Sequence, residues 1–248
     1  MSKCKSLISG LKKLAFLPFL IIVCGITVEA QTKRVAKAIE KIPSEGRTAQ
    51  DFVPKGWEIY TDSSGDLNGD NLSDAALTLT LPFEEAEKLR DGTDGDYESA
   101  PSIVVVLFAK KGGGFRRFAV NGRLYPSDSD TRSYLTPKIA KGVLIVNNNW
   151  GDGWAVDTTF RFRYDAAADK LMLIGFDLEN YSRMSIYEGE KTSENYLSGV
   201  RIDYDKSAKR KASDYSETQR SQIKREKISF EKAWLNEGEG DHFQLRPF

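Results

Sequence analysis

The residues best equipped for chemistry lie between Gly65 and Leu77, in the run Gly-Asp-Leu-Asn-Gly-Asp-Asn-Leu-Ser-Asp-Ala-Ala-Leu. Oxygen-bearing side chains stand at Asp66, Asn68, Asp70 and Asp74, which are positions 1, 3, 5 and 9 of a loop counted from Asp66. A hard cation such as Ca2+ takes about six to eight oxygens, and a loop of this spacing aims alternate side chains at one point while the position-7 carbonyl, here Leu72, adds another. Gly69 lets the loop curl, and Asn71 is one of the few residue types that tolerate positive φ. The competing reading is an ordinary turn, because Asp, Asn and Gly also cap backbone groups without a metal. If calcium binds, its role is structural.

A second candidate is Asn147-Asn148-Asn149-Trp150-Gly151-Asp152-Gly153-Trp154. Trp150 and Trp154, with Asp152 between them, have the chemistry to stack on a sugar ring and hydrogen-bond its hydroxyls, or to form a protein-binding hot spot. Against this stands the plain alternative that both indoles cover a core at a strand end while the amides and glycines make the turn.

Other chemistries are narrowed by composition. Both cysteines, Cys4 and Cys24, fall in the first thirty residues, and the one histidine is His242. A thiol nucleophile, a Cys-ligated zinc or iron-sulfur site and an HExxH protease therefore have no residues to use in the remainder of the chain, and a Ser-His-Asp triad would have to recruit His242. Carboxylates are plentiful, and an Asp/Glu pair suffices for glycoside hydrolysis, but no spacing singles out a pair.

The loop is positioned by strands and not by helices. An EF-hand needs a bidentate Glu at position 12 and flanking helices; position 12 is Leu77, within Leu77-Thr78-Leu79-Thr80-Leu81, an alternation that reads as a half-buried strand. This strand-associated Asp-x-Asn-x-Asp-x-x-x-Asp loop resembles the FG-GAP and VCBS repeats of secreted and cell-surface proteins, and the resemblance implies calcium binding on a β-propeller blade. One copy is present: residues 91–96 have acidic residues at the wrong spacing, and residues 150–154 have a single carboxylate. A complete propeller needs repeated blades. The stretches 173–176 and 195–199, following a Gly-Asp-Leu-Asn loop, are also similar to a group of bacterial exported proteins with one such loop and no assigned function.

Residues 1–30 have the form of a secretory signal peptide: Lys3, Lys5, Lys12 and Lys13 precede an apolar segment, and Val28-Glu29-Ala30 ends it. Removing these four Lys and one Glu from 36 basic and 36 acidic residues leaves 32 and 35, a net charge of −3. That balance provides no basic footprint for nucleic acid. The membrane enters only through the export signal.

Residues 31–50 read as a leader helix, with Val35, Ile39 and Ile42 at helical spacing, and a linker. Residues 51–235 read as one all-β domain containing the calcium loop 66–74, and residues 236–248 as a tail. Ile103-Val104-Val105-Val106-Leu107-Phe108 is a continuous apolar run, expected to be a central strand covered on both faces. Phe160, Phe162 and Tyr164 alternate inward with Arg161 and Arg163 outward. Residues 206–227, crowded with Lys, Arg, Ser and Glu, read as containing a long, solvated hairpin loop or a locally mobile segment. The expected fold is thus a mostly antiparallel all-β sheet, a sandwich or a partial propeller-like sheet, with a short N-terminal helix. The expected role is non-catalytic binding of a protein or carbohydrate at the cell envelope, with Ca2+ bound. The alternatives are a carbohydrate-active hydrolase using an Asp/Glu pair, and an inhibitor or immunity-type partner of another exported protein.

Overall fold

The computed structural model describes residues 33–87, 101–124, 135–185, 188–206, 215–237 and 243–247. The signal-like segment, both cysteines, residues 91–96 and His242 lie outside them.

Two antiparallel sheets dominate the described residues. The smaller has the order β1-β5-β4-β3-β2, from Glu45–Gly46 (β1), Glu58–Gly65 (β2), Asp74–Thr80 (β3), Ser102–Ala109 (β4) and Phe115–Asn121 (β5). The larger is a seven-stranded meander in chain order: Thr136–Ala140 (β6), Val143–Trp150 (β7), Trp154–Asp165 (β8), Lys170–Ser182 (β9), Gly189–Asn195 (β10), Val200–Asp205 (β11) and Ser216–Gln222 (β12). Ala233–Glu237 (β13) and Phe243–Pro247 (β14) pair separately. Neither large sheet closes into a barrel or propeller, so the architecture is the sandwich and not the propeller-like sheet.

The smaller sheet is the middle of three layers. Alternation along β4 sends Ile103, Val105 and Leu107 to one face, where they pack under the helix of residues 33–41 (α1) and the 3-10 turn Ala49–Phe52. Val104, Val106 and Phe108 point to the other face and meet Leu144, Val146, Phe160 and Phe162 of the larger sheet. A strand buried on both faces needs apolar residues at both parities, which is why this run does not alternate. β3 follows the same rule: the expectation of a half-buried strand at Leu77–Leu81 is corrected, because Leu77, Thr78, Leu79 and Thr80 are all buried. The buried Thr78 hydroxyl donates to the Leu135 carbonyl at 2.7 Å, as a buried polar group must find a partner.

Helix α1 presents Val35, Ala38 and Ile39 to this sheet, joined by Ile42 just past its end. It descends onto Gly122, where an added Cβ would lie 2.4 Å from Val35 Cγ1. At its end the Ile39 carbonyl accepts from Ile42 N–H at 3.2 Å, and the last carbonyls have lone pairs left for donors from elsewhere. Arg117 Nη1 reaches across from β5 and donates to the carbonyls of Ile39 and Ile42. Arg117→Ala is expected to cost about 1–2 kcal/mol, the worth of charged hydrogen bonds at a partly buried site. A melt combined with faster amide exchange in residues 33–41 checks this.

Two further expectations are corrected. Within residues 206–227, read as containing a solvated hairpin loop or a locally mobile segment, Ser216–Gln222 forms β12; within residues 236–248, read as a tail of uncertain order, Phe243–Pro247 forms β14. β12 is the edge of the larger sheet. It carries a register shift opposite Asp203 and Tyr204, which leaves Glu217 and Arg220 in a 2.7 Å ion pair. A bulge and charges of this kind blunt an edge against pairing with other chains. Among the described residues no helix is long and apolar enough to cross a membrane.

Candidate functional site

The loop of residues 66–74 joins β2 to β3 and is held at both ends by the core. Leu67 is 3% exposed and plugs the core between the sheets. Asn71 has φ 64° and Gly69 φ 82°, the left-handed turns expected of them. Each side-chain acceptor collects loop amides. Asp66 Oδ1 accepts from Gly69 N–H at 2.7 Å and Oδ2 from Asn71 N–H at 2.9 Å. Asn68 Oδ1 accepts from Asp70 N–H at 3.0 Å, and Asp70 Oδ1 from Leu72 N–H at 2.8 Å. Asn68 Nδ2 donates to Asp70 Oδ2 at 3.1 Å.

Asp74 differs from the other three. It is wholly buried, and its oxygens accept from Leu67 N–H and from Ala109 N–H at the end of β4, both at 2.9 Å. The carboxylate therefore ties the loop to two strands. Burial raises the Asp74 pKa above the usual carboxylate value; the two amides oppose this, and the charges of Asp70 and Asp66 add to it. For Asp66 the balance is reversed, since burial is outweighed by amides led by Asn71 and Gly69, and its pKa is lowered.

All the donors are hard oxygens, and a carboxylate oxygen that accepts one hydrogen bond retains a second lone pair for a metal. No lysine or arginine among the described residues pairs with Asp66, Asp70 or Asp74. Nor, among the described residues, do three or more His, Cys, Asp or Glu side chains form a group ready to hold a metal. The inward turn of Asp74 sets it apart from the donors at positions 1, 3 and 5.

The two tryptophans are separated by burial. Trp150 is 5% exposed and belongs to the core between the sheets, so it offers no face to a sugar, and the paired-indole platform is corrected on that ground. Trp154 is 59% exposed, and Asp152 beside it is exposed as well. The turn between them is tightly built. Gly151 has φ 96°, and a Cβ there would fall 2.2 Å from the Trp154 carbonyl. Arg183 N–H donates to the Gly153 carbonyl at 2.8 Å, while the Arg183 guanidinium holds Asn149 Oδ1 at 2.7 Å.

Two features have no counterpart in the sequence reading. Strands β10, β11 and β12 contribute nothing to either core and project past the sandwich. On the face continuing from the core they bound, with β9, a groove of about 610 Å³ lined by Leu178, Asn180, Glu190, Thr192, Asp203 and Asp205 among others. Arg201 Nε pairs with Asp203 Oδ1 at 2.9 Å and its Nη1 with Glu194 Oε1 at 3.6 Å, while Thr192 Oγ1 donates to Asp203 at 2.8 Å. The opposite face carries Asp157 directly across from Glu179. Burial raises the Asp157 pKa, helped by Glu179 and Asp177, and its hydrogen bond from Asn149 is long at 3.4 Å. Glu179 is engaged by the Tyr215 hydroxyl at 2.5 Å and by Lys206 at 3.6 Å. Their signal in the sequence is faint: polar residues recurring every second position, as in Glu190, Thr192 and Glu194.

Comparison with protein-family models, with curated proteins and with solved structures gives no match for this chain.

Proposed function

We infer that the chain is an exported β-sandwich domain that acts by binding at the cell envelope, with a calcium ion fastening the loop of residues 66–74. The observation that carries the metal half is the placing of Asp66, Asp70 and Asp74 in one turn with no basic side chain among the described residues to offset them; the Asp74 pKa, raised first by burial, is raised further by the other two carboxylates. A divalent cation relieves this. The residues that would hold it are the side chains of Asp66, Asn68, Asp70 and Asp74 and the carbonyl of Leu72. Export rests on the signal-like segment 1–30, and the binding role on the groove and the exposed Trp154.

An affinity near that of extracellular modules, about 10⁻⁴ M, with about 1 mM ion adds about 1.4 kcal/mol of stability. In a chain of this size that is a melting shift of about 3–6 °C. Thermal melts with calcium and with chelator are expected to differ by this amount, and Asp70→Ala to abolish the difference. Identical melts for the unaltered chain would overturn the metal assignment.

A second reading, carbohydrate hydrolysis by an acid pair, has one observation in its favour. Asp157 and Glu179 are cross-strand neighbours, a relation that sets Cβ atoms about 4.5–5.5 Å apart, and retaining glycosidases hold their carboxyls about 5–5.5 Å apart with one of raised pKa. Reducing ends released from a polysaccharide by the unaltered chain but not by Asp157→Asn would favour it.

A further inference from the structure

We propose that the groove along β9–β12, with Trp154 at its rim, holds a segment of a neutral oligosaccharide; this rests on the binding role inferred above and specifies its ligand. At about 610 Å³ the groove falls in the range of small-molecule sites, about 300–1,000 Å³. Its chemistry is that of a polyol site. Asn180, Thr192, Thr218, Asp203, Asp205 and Glu190 offer amide, hydroxyl and carboxylate groups to hydroxyls, above a small apolar patch at Leu178.

The groove does not suit an anion. Its lining sets the carboxylates of Glu190, Asp203 and Asp205 against two cations, Lys191 and Arg201, and Arg201 already lies against Asp203 and Glu194, with its Nη2 also reaching Thr192 Oγ1 at 3.4 Å. The same contacts fix Thr192 and Asp203 before any ligand arrives, which lowers the entropy lost on binding.

The second, independent observation is where the exposed indole lies. Trp154 is opposite Ser182 and Val156 is opposite Asn180, so Trp154 and Asn180 are diagonal neighbours on one face of the sheet. That separation, about 7–8 Å, is within reach of an aromatic side chain. Trp154 therefore stands beside a groove-lining amide with its ring in solvent, on a turn locked by Gly151 and Arg183. An apolar ring face next to a row of planar polar groups matches a sugar, which has C–H faces and hydroxyl edges.

The test is calorimetric titration and tryptophan fluorescence on the full chain in calcium. The probes are four neutral hexasaccharides (β-1,4-glucan, β-1,3-glucan, α-1,4-glucan and β-1,4-N-acetylglucosamine), a uronic-acid hexamer and spermidine. At least one neutral hexasaccharide is expected to bind with a Kd below about 1 mM. Trp154→Ala and Asn180→Ala are each expected to weaken it about tenfold, while Trp154→Phe retains most of the affinity. Trp154 is exposed, so an unchanged melt for Trp154→Ala separates lost binding from lost fold. No neutral saccharide binding up to about 10 mM, or groove-dependent binding of spermidine or the uronic-acid hexamer alone, overturns the proposal. Saccharide binding that ignores both variants also overturns the groove while leaving the binding role standing.

Discussion

Asp74→Ala is expected to destabilise the fold by about 3–5 kcal/mol, because it strands the buried Leu67 N–H and the part-buried Ala109 N–H, each costing about 1–3 kcal/mol when left without an acceptor. At about 2–4 °C per kcal/mol this lowers the melting temperature by about 10 °C. Asp66→Ala is expected to cost much less, since the amides that it releases are exposed to water. Amide exchange distinguishes the two: Leu67 and Ala109 lose protection together in Asp74→Ala, although 42 positions separate them in the chain. A melt of Asp74→Ala within about 1 °C of the unaltered protein would refute the tie.

Asp74 also carries a pH signature. Its folded pKa is raised by burial above the unfolded value of about 3.9, so between those two values the folded state holds more protons than the unfolded state. Its contribution to stability is present in full below about pH 3.9 and is lost as pH rises through the folded pKa. Asp157 has the same sign, again with burial as the leading cause. Asp66, Asp51, Glu45 and Glu217, whose pKa values are lowered, have the opposite sign and lose their contribution as pH falls. Asp74→Asn isolates this contribution: the difference between it and the unaltered chain, measured in chelator, is expected to shift against the unaltered chain as pH rises from about 4. Calcium favours the ionised carboxylate and is expected to reverse that trend.

Phe108→Ala is expected to cost about 3–5 kcal/mol and Leu107→Ala about 2–5, although the two residues are adjacent and their effects act on different interfaces. Phe108 is fully buried between the sheets, stacked on Phe118 at 3.9 Å, edge-on to Tyr164 at 5.5 Å, and under the Arg116 guanidinium at 5.0 Å. Its removal opens the sandwich from the side of the larger sheet. Leu107 points the other way and packs beneath α1. Global melts are expected to fall for both, but limited proteolysis near residues 33–41 is expected to accelerate for Leu107→Ala alone. Equal acceleration in both would mean that the layers do not respond separately.

How far the sequence discloses this arrangement depends on whether the cause is local. The six-residue apolar run of β4 declares a strand buried on both faces, and Lys141-Gly142 declares the β6–β7 turn, where φ is 53° and 71°. The loop of residues 66–74 is visible from its spacing, including the positive φ of Asn71. What spacing cannot convey is that Asp74 faces inward, because the amide that claims it belongs to Ala109, 35 positions away. The phase of β7 distinguishes the tryptophans: Leu144, Val146, Asn148 and Trp150 share its buried parity. Trp154 has the parity of Phe160 yet is exposed, since it sits where β8 runs past the sandwich. Strands β10 and β12 read Gly-Glu-Lys-Thr-Ser-Glu-Asn and Ser-Glu-Thr-Gln-Arg-Ser-Gln. With no apolar face to bury, nothing in them separates a strand from a solvated loop, and only pairing, of β10 to β9 and β11 and of β12 to β11, makes them part of a sheet.

That projection implies that the protein has two thermal lives. Strands with no share in a core are kept by ladder bonds and side-chain pairs alone, so they open with a free energy well short of global unfolding. A molecule seated across them would first be felt as a quieting of the periphery, read as slowed deuterium uptake in residues 189–205, while the melting of the sandwich itself scarcely moved.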